Sequence, residues 1–379
     1  MGARQSKSRR ALVLGRGASG KAAAEELRRR GYDVVFAEDL ALVVASPGVP
    51  VKSELQLGCE ELRRRGWKLL AVTGSKGKSS VVKVVSDALN LAGRKAVPCG
   101  NYGRPVCDLV GEEPGWAVVE VSSFQLETTA LAGDIFEASA VLNVQEEHLD
   151  RHGSMSVYRE LKHRLAAMSK FHLEGWERQP PDALESNPPF AGAAALVAGS
   201  YFDNDVLRAN GMYAVALMRE AGLSDAQVRR AFASFEPLPH RFQTVAEIDG
   251  VRYVDDSKAT SVAALVAGVS MCGASPTRLV AGGLPKGDDP KNALPILTDR
   301  VKKVYLIGQS AEVFHAAWSG AVDCEVCGTL DRAVASAMRD AARGETVLLS
   351  PGAASFDQFA SFGERGEVFA SLVKKGKKE

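Results

Sequence analysis

The chain reads as an α/β protein of three domains, and three observations carry that expectation. Short apolar runs of strand length alternate with stretches of helical periodicity. Two of those runs end in glycine-rich turns of the kind that meet phosphates, and polar residues gather just past the ends of the others, where open parallel sheets bind ligands. At 379 residues the chain has room for two or three domains, and 46% hydrophobic with 25% charged residues is ordinary for a soluble protein. Lys and Arg at 47 against Asp and Glu at 46 leave +1, so charge argues for no nucleic acid and no membrane as partner. No apolar run approaches a membrane span and the run at 11–14 is too short for a signal core, which makes a cytoplasmic location the default. Six cysteines in a chain this long do not form a disulfide framework. Cys324 and Cys327 have redox or zinc spacing, but no second pair or histidine stands nearby, and packing is the expected role.

The first element is a strand at 11–14 that runs into Gly15, Gly17 and Gly20, a Gly-x-Gly-x-x-Gly turn opening a helix through Leu27. A second strand at 34–37 ends at Glu38 and Asp39. Such glycines let a backbone approach a phosphate, and an acid at the second strand's tip takes a ribose or base hydrogen bond, so the opening is Rossmann-like. Alone it would suggest a nicotinamide reductase. A third strand at 41–44 follows, and little room remains before the next begins at Leu69. A domain of residues 1–68 is small for this architecture, so it is expected to supply one binding edge and no catalysis.

The central domain, 69–237, is organised around Thr73-Gly74-Ser75-Lys76-Gly77-Lys78-Ser79-Ser80. Leu69 to Val72 make a short buried strand, and Val81, Val84, Val85, Ala88, Leu89 and Ala92 recur at helical spacing. A helix N-terminus with unpaired N–H groups therefore points at the loop. Gly74 and Gly77 let the backbone wrap an anion, Lys78 can neutralise terminal phosphates, and the Ser79 hydroxyl can meet a magnesium ion. The full P-loop pattern would place its first glycine at Val72, so for the loop taken alone an ordinary strand-to-helix turn remains the alternative. Next comes the turn Gly100-Asn101-Tyr102-Gly103, whose amide could meet a substrate, then a buried strand at 116–121 carrying Glu120. A carboxylate inside an apolar run needs a paired lysine or a metal. Ser122 and Gln125 lie at that strand's carboxyl end, and a strand at 138–144 leads to His148, placed as a metal or phosphate ligand. A helix from 155 to 170 follows, with Lys162 at its flank as a surface lysine by pattern. Residues 174–200 lose periodicity and read as an irregular connection; helices resume at 207–221 and 225–235, and Glu236-Pro237-Leu238-Pro239 makes a stiff hinge.

The last domain, 238–379, alternates again: strands at 251–254, 278–281, 303–307 and 346–349, with helices near 260–271, 310–318, 330–342 and from 356. Parallel strands with crossover helices follow, a second Rossmann-like sheet. Its strand ends carry Asp256, Lys258 and Thr260, then Lys286, then Ser350 to Ser355. Two lysines and several hydroxyls on one edge suit a small ligand with carboxylates.

Taken together, six motifs resemble the Mur ligases of peptidoglycan synthesis over roughly 11–369. They are the glycine-lysine loop at 73–79, Glu120 to Glu127, Leu142-Asn143-Val144 leading to His148-Leu149-Asp150, Leu238 to Phe242, Asp256 to Thr260, and Ser350 through Ser355 to Phe359. The resemblance implies a P-loop-type ATPase as the central domain. It also implies a monomeric ligase that uses ATP and Mg2+ to join D-glutamate to UDP-N-acetylmuramoyl-L-alanine; the Asp-Ser-Lys-Ala-Thr form at 256–260 is what favours D-glutamate. By that resemblance Gly74, Ser75, Lys76, Gly77, Lys78, Ser79, Ser80, Arg241 and Asp256 hold ATP, and Ser79, Glu120, His148 and a carbamylated Lys162 hold the metal. Lys78, His148 and Lys162 are the catalytic residues. Gly17, Ser19 and Glu38 with Asn101, Ser122, Gln125 and His240 contact the uridine substrate, and Lys258, Thr260, Lys286, Ser355 and Phe362 form the D-glutamate pocket. Carbamylation would reverse the surface role that pattern assigns to Lys162. Four departures stand out: Lys76 replaces the usual Asn, the first domain is shortened, the central domain lacks further strands after Lys162, and the His-Asn pair expected near 204–210 is represented only by Asn204 and Asn210. They leave open a related amide ligase with another substrate, and a nucleotide-binding homologue without catalysis.

Overall fold

The structure, a computed structural model, describes residues 9–37, 52–175 and 180–376. Glu38, Asp39 and the strand expected at 41–44 lie outside the described residues. The α/β architecture is built on three sheets in two compact units, one holding residues up to Asp203 with Leu207–Phe235, the other Asn204–Val206 and residues from Glu236 onward.

In the first unit, β1 (Arg9–Leu14) and β2 (Tyr32–Ala37) pair in parallel around α1 (Ala18–Arg29). A helix that the sequence reading passed over, α2 (Glu54–Arg64), follows, started by the Ser53 side chain accepting from the Gln56 amide. Glu26 of α1 and Glu61 of α2 are both nearly buried, and Arg30 donates to each, at 2.7 and 3.3 Å. The guanidinium of Arg64, then those of Arg65 and Arg30, hold the Glu61 carboxyl down to about 2. A folded value below the usual 4.5 means that its stabilisation is whole above that pH and is lost as pH falls toward 2. Glu61→Gln is therefore expected to lower the stability of this unit at neutral pH by roughly 1 kcal/mol, since Arg64 and Arg65 are exposed, and to flatten its acid dependence. Urea unfolding followed at pH 7 and at pH 3.5 checks both.

The central sheet of this unit has order β4-β5-β3-β6-β7, all parallel: β3 (Lys68–Thr73), β4 (Ala96–Gly100), β5 (Trp116–Glu120), β6 (Phe136–Val141) and β7 (Ser169–Leu173). With β3 in the middle and crossovers leaving it on both sides, the carboxyl ends of β3, β5 and β6 open onto one crevice. The fully buried run Leu69 to Val72 and Ala117 to Val119 explains why these strands read as unbroken apolar stretches. On the faces lie α3 (Lys78–Leu91), α4 (Ser123–Thr128), the short α5 (Leu149–His152), α6 (Met155–His163), α7 (Pro181–Glu185), α8 (Ala193–Val197), α9 (Arg208–Glu220) and α10 (Asp225–Ala233).

Two expectations are corrected here. The helix expected over 155–170 stops at His163, because Phe171 and Leu173 pair with Ala138 and Ala140 as strand β7, so the sheet does continue after Lys162. The stretch 180–200 is not irregular: prolines at 180, 181, 188 and 189 stand at or beside the starts of short helical turns, where their missing N–H costs nothing.

The second unit holds one six-stranded sheet, order β12-β11-β10-β13-β9-β8, from β8 (Gln243–Ile248), β9 (Val251–Asp255), β10 (Thr277–Gly282), β11 (Val301–Ile307), β12 (Asp323–Gly328) and β13 (Thr346–Leu349). Only β8, unanticipated from pattern, runs antiparallel, as a hairpin turned at Asp249 and Gly250, both with positive φ. The crossovers are α11 (Val262–Met271), α12 (Leu294–Arg300), α13 (Ala311–Trp318) and α14 (Leu330–Asp340), and α15 (Phe362–Gly376) follows the last strand. This helix begins at 362, not 356. Cys324 and Cys327 lie on β12, both thiols unpaired by disulfide and raised by burial, as packing residues would be.

Candidate active site

The loop between β3 and α3 is held in a defined shape by its neighbours. The Ser75 amide donates to the Asn143 carbonyl at 2.9 Å, the Lys76 amide to Asn143 Oδ1 at 2.9 Å, and Ser75 Oγ meets Gln145 and Tyr158 Oη. Gly77 caps α3 at φ +86°, and a Cβ there would sit 2.1 Å from Asn210 Nδ2, so only glycine lets the loop close onto Asn210. Asn210 in turn accepts from Asn143 Nδ2 at 3.3 Å. Lys78 folds back over the loop, its ammonium 2.7 Å from the Gly74 carbonyl and 2.9 Å from that of Ser75. Ser79 and Ser80 are buried in the first turn of α3. Lys76, unexplained by sequence, ion-pairs with Glu147 at 3.0 Å. Burial alone would raise the Glu147 carboxyl; Lys76, with help from Lys78 and His148, outweighs it and lowers it.

Lys162 is not a surface residue: it is 1% exposed, donates to the same Gly74 carbonyl at 3.0 Å, and lies 4.5 Å from the centre of the Tyr158 ring. Burial first, then the charge of Lys78, pushes its ammonium down to about 7, against the opposing pull of Glu147 and Glu120. Glu120, 2% exposed, accepts from Asn101 Nδ2 at 2.7 Å through one oxygen, while Oε2 is buried with no hydrogen-bond partner. A carboxyl oxygen left bare at an apolar strand end is a strong site for a cation. Among the residues expected to hold Mg2+, Glu120 and Ser79 offer the oxygen donors which that ion prefers.

Ser122 and Gln125 form a capping box on α4, so their polar atoms are turned toward the helix start and Asn101 lies one strand away. His148 stands at φ +57°, exposed, its ring 5.0 Å from that of Phe124. Gly17 and Ser19 stand at the exposed start of α1.

In the second unit, polar and charged residues gather just past the ends of β9, β10 and β13. His240, at φ +60°, meets Asp255 Oδ2 at 2.7 Å and faces the Phe362 ring. Asp256 accepts from the Phe242 amide at 3.1 Å and from Ser350 Oγ at 3.0 Å; burial, then the charge of Asp255, pushes it up to about 7 despite those bonds. The Lys258 ammonium is 4.1 Å from the Phe362 ring centre and is lowered by burial, then by Arg241 and Lys286. Lys286 donates to Thr260 Oγ1 at 3.1 Å, and Ser355 is buried nearby in sequence to Ala354, which pairs with Leu284. Sequence reasoning missed Arg365, fully buried, whose guanidinium donates to Ser257 and to the carbonyls of Ala353 and Ala354 and so clamps the three strand ends together. It gave no role to Glu147, quoted Asn143 only within a motif, and offered Asn210 only as a candidate for the expected His-Asn pair. Asn143 had a further signal, as a polar residue directly after an apolar strand.

A glycine loop at the end of a central parallel strand, with a lysine folded over it and a bare acid on the neighbouring strand, defines a nucleotide-using α/β enzyme. Comparison with known proteins gives the family. Residues 72–173 match the Mur ligase middle domain and 240–353 the glutamate ligase domain of Mur ligases. The chain is 35% identical over 365 residues to the UDP-N-acetylmuramoylalanine--D-glutamate ligase of Nitratidesulfovibrio vulgaris, covering 90% of this chain and 83% of that one. It is 31% identical to the ligase of the same name from Chlamydia caviae, covering 97% and 98%. Among solved structures the MurF ligase of Thermotoga maritima in complex with ADP superposes with a TM-score of 0.61 at 17% identity over 98% of this chain and 96% of that one, a likeness of fold. The chain belongs to the Mur ligase family and is an ATP-dependent ligase with that family's three-domain α/β architecture. Among the described residues no helix is long and apolar enough to cross a membrane.

Proposed function

We propose that the chain joins D-glutamate to UDP-N-acetylmuramoyl-L-alanine at the expense of ATP, in cytoplasmic peptidoglycan precursor synthesis, with residues 1–68, 69–237 and 238–379 as uridine-substrate, ATP and amino-acid domains. The observation that carries the choice of amino acid is the pair Lys258 and Lys286 on one edge of the second unit, with Thr260 hydrogen-bonded to Lys286 and Phe362 against Lys258. An amino dicarboxylate has two carboxylates to neutralise, and two lysines with an adjacent hydroxyl meet that need. The relatives that bear the name D-glutamate ligase support it.

In this reading the loop amides and Lys78 bind the ATP phosphates, and the substrate carboxylate takes the γ-phosphoryl group, leaving ADP and an acyl phosphate. Bound Mg2+ supplies charge neutralisation at the transferring phosphoryl group. Ser79, Glu120, His148 and Lys162 would hold it. The amine of Lys162 reaches a metal as an anion only after it attacks CO2, forming an N–C bond and releasing a proton, and its lowered basicity makes the free amine available. Lys258 and Lys286 fix D-glutamate, whose amine attacks the acyl carbon; the tetrahedral intermediate then expels phosphate and leaves the amide.

Phosphate release from ATP, Mg2+ and UDP-N-acetylmuramoyl-L-alanine is expected only when D-glutamate is added, and equal turnover with a panel of other amino acids would defeat the reading. The short stretch before β3 favours one alternative, an amide ligase with a different acceptor. That reading predicts turnover with D-glutamate only when another carboxylate replaces the uridine substrate.

A further inference from the structure

Away from the ATP site, α6 ends at His163, β7 carries His172, and Glu174 follows two residues later; one donor atom of each lies within 4.8 Å of the others. His163 Nδ1 is 2.7 Å from Glu174 Oε1. The His172 ring is held by its neighbours. Its Nδ1 is 2.7 Å from Ser139 Oγ, and Ser139 Oγ accepts from Ser169 Oγ at 2.7 Å, which leaves it a second lone pair for a ring N–H. The other ring nitrogen, Nε2, is buried and has no hydrogen-bond partner.

We propose that His163, His172 and Glu174 form a binding site for a transition-metal dication of the zinc type, distinct from the Mg2+ ligands, which staples the end of α6 to β7. Two imidazoles and one carboxylate are a zinc donor set that leaves a position open for water. Ser139 plays the outer role such sites use, accepting the far N–H of a ligating imidazole and fixing its ring. Glu174 is held in place through its backbone, whose carbonyl accepts from Tyr213 Oη at 3.0 Å. The Arg159 guanidinium, one turn before His163, opposes a cation there, and the Glu174 carboxylate offsets it. The site would steady the segment that follows Lys162, and it does not depend on which amino acid the enzyme uses.

The test is metal titration of the intact protein after chelator treatment, with Mg2+ in excess throughout. One equivalent of Co2+ is expected to give visible d–d bands without thiolate charge transfer, to be displaced by Zn2+, and to raise the unfolding temperature. Glu174→Gln, at a side chain 41% exposed and away from the core, should weaken Zn2+ binding on the order of 100-fold, and Ser139→Ala by about 10-fold, with circular dichroism unchanged. Absence of binding, thiolate bands, or equal affinity in both variants would overturn the proposal and leave His163 and Glu174 as a plain ion pair.

Discussion

Lys78→Ala is expected to cut ATP-dependent phosphate release by about 100- to 1,000-fold while leaving the fold intact. The loop does not depend on this side chain for its shape. Ser75 and Lys76 are tied to Asn143 and Gln145 by hydrogen bonds that involve no atom of Lys78, and Gly77 is seated against Asn210. What the substitution removes is the positive charge held over the Gly74 and Ser75 carbonyls, where the proposed function brings the phosphates to the start of α3. Losing a charge that counts most as the phosphoryl group is transferred lowers kcat more than it weakens ATP binding. A loss confined to KM, or a rate within a few-fold of the wild type, would remove Lys78 from the transfer step. Thermal unfolding monitored in parallel should show little change.

A loss of comparable size is expected for Lys162→Ala and Lys162→Arg, and here CO2 is the diagnostic. The free amine is the form that reacts with CO2, and with its basicity pushed down to about 7 that form gains population as pH rises through neutrality. After CO2 depletion, wild-type activity should fall and return with bicarbonate, the extent of return rising with pH through about 7 and levelling above it. Lys162→Arg has no amine to carbamylate and should not respond. Because Lys78 is the second cause of the lowered value, Lys78→Ala should move the midpoint of that return upward, an effect readable even at its reduced rate. Wild-type turnover indifferent to CO2, together with an active Lys162→Arg, would end the carbamate proposal.

Much of this molecule was legible because its chemistry is written in local order. The spacing of Gly74, Gly77, Lys78 and Ser79 specifies a strand-to-helix turn, and the structure puts the two glycines between β3 and α3 and Lys78 and Ser79 in the first turn of α3. Alternation and length located most strands of the second unit to within a few residues. The two missed strands share a cause. The strand β7 and the hairpin strand β8 are sheet margins whose residues are only half-buried, so apolar periodicity is weak there and pairing with β6 and β9 decides the conformation. Arg365 is invisible for the opposite reason: in sequence it is one more charged helix residue, and only the convergence of β9, β10 and β13 shows that it is enclosed by carbonyls.

Lys162 marks the boundary between the two kinds of information. Sequence by itself determined that this is an α/β chain with a phosphate loop and with acids, a histidine and lysines at strand ends, because turn chemistry and burial period depend on neighbours a few residues away. Periodicity placed Lys162 on a solvated helix flank, a role that the family resemblance reversed without showing how, and left Lys76 without a partner. Only tertiary structure decided otherwise. Helix α6 packs with Lys162 turned under the loop, 88 residues away in sequence from the Gly74 carbonyl it meets, and the loop after β6 brings Glu147 to Lys76. Burial and charge proximity are properties of distance in space, and they are what turn an ordinary lysine into one with a free amine near neutral pH.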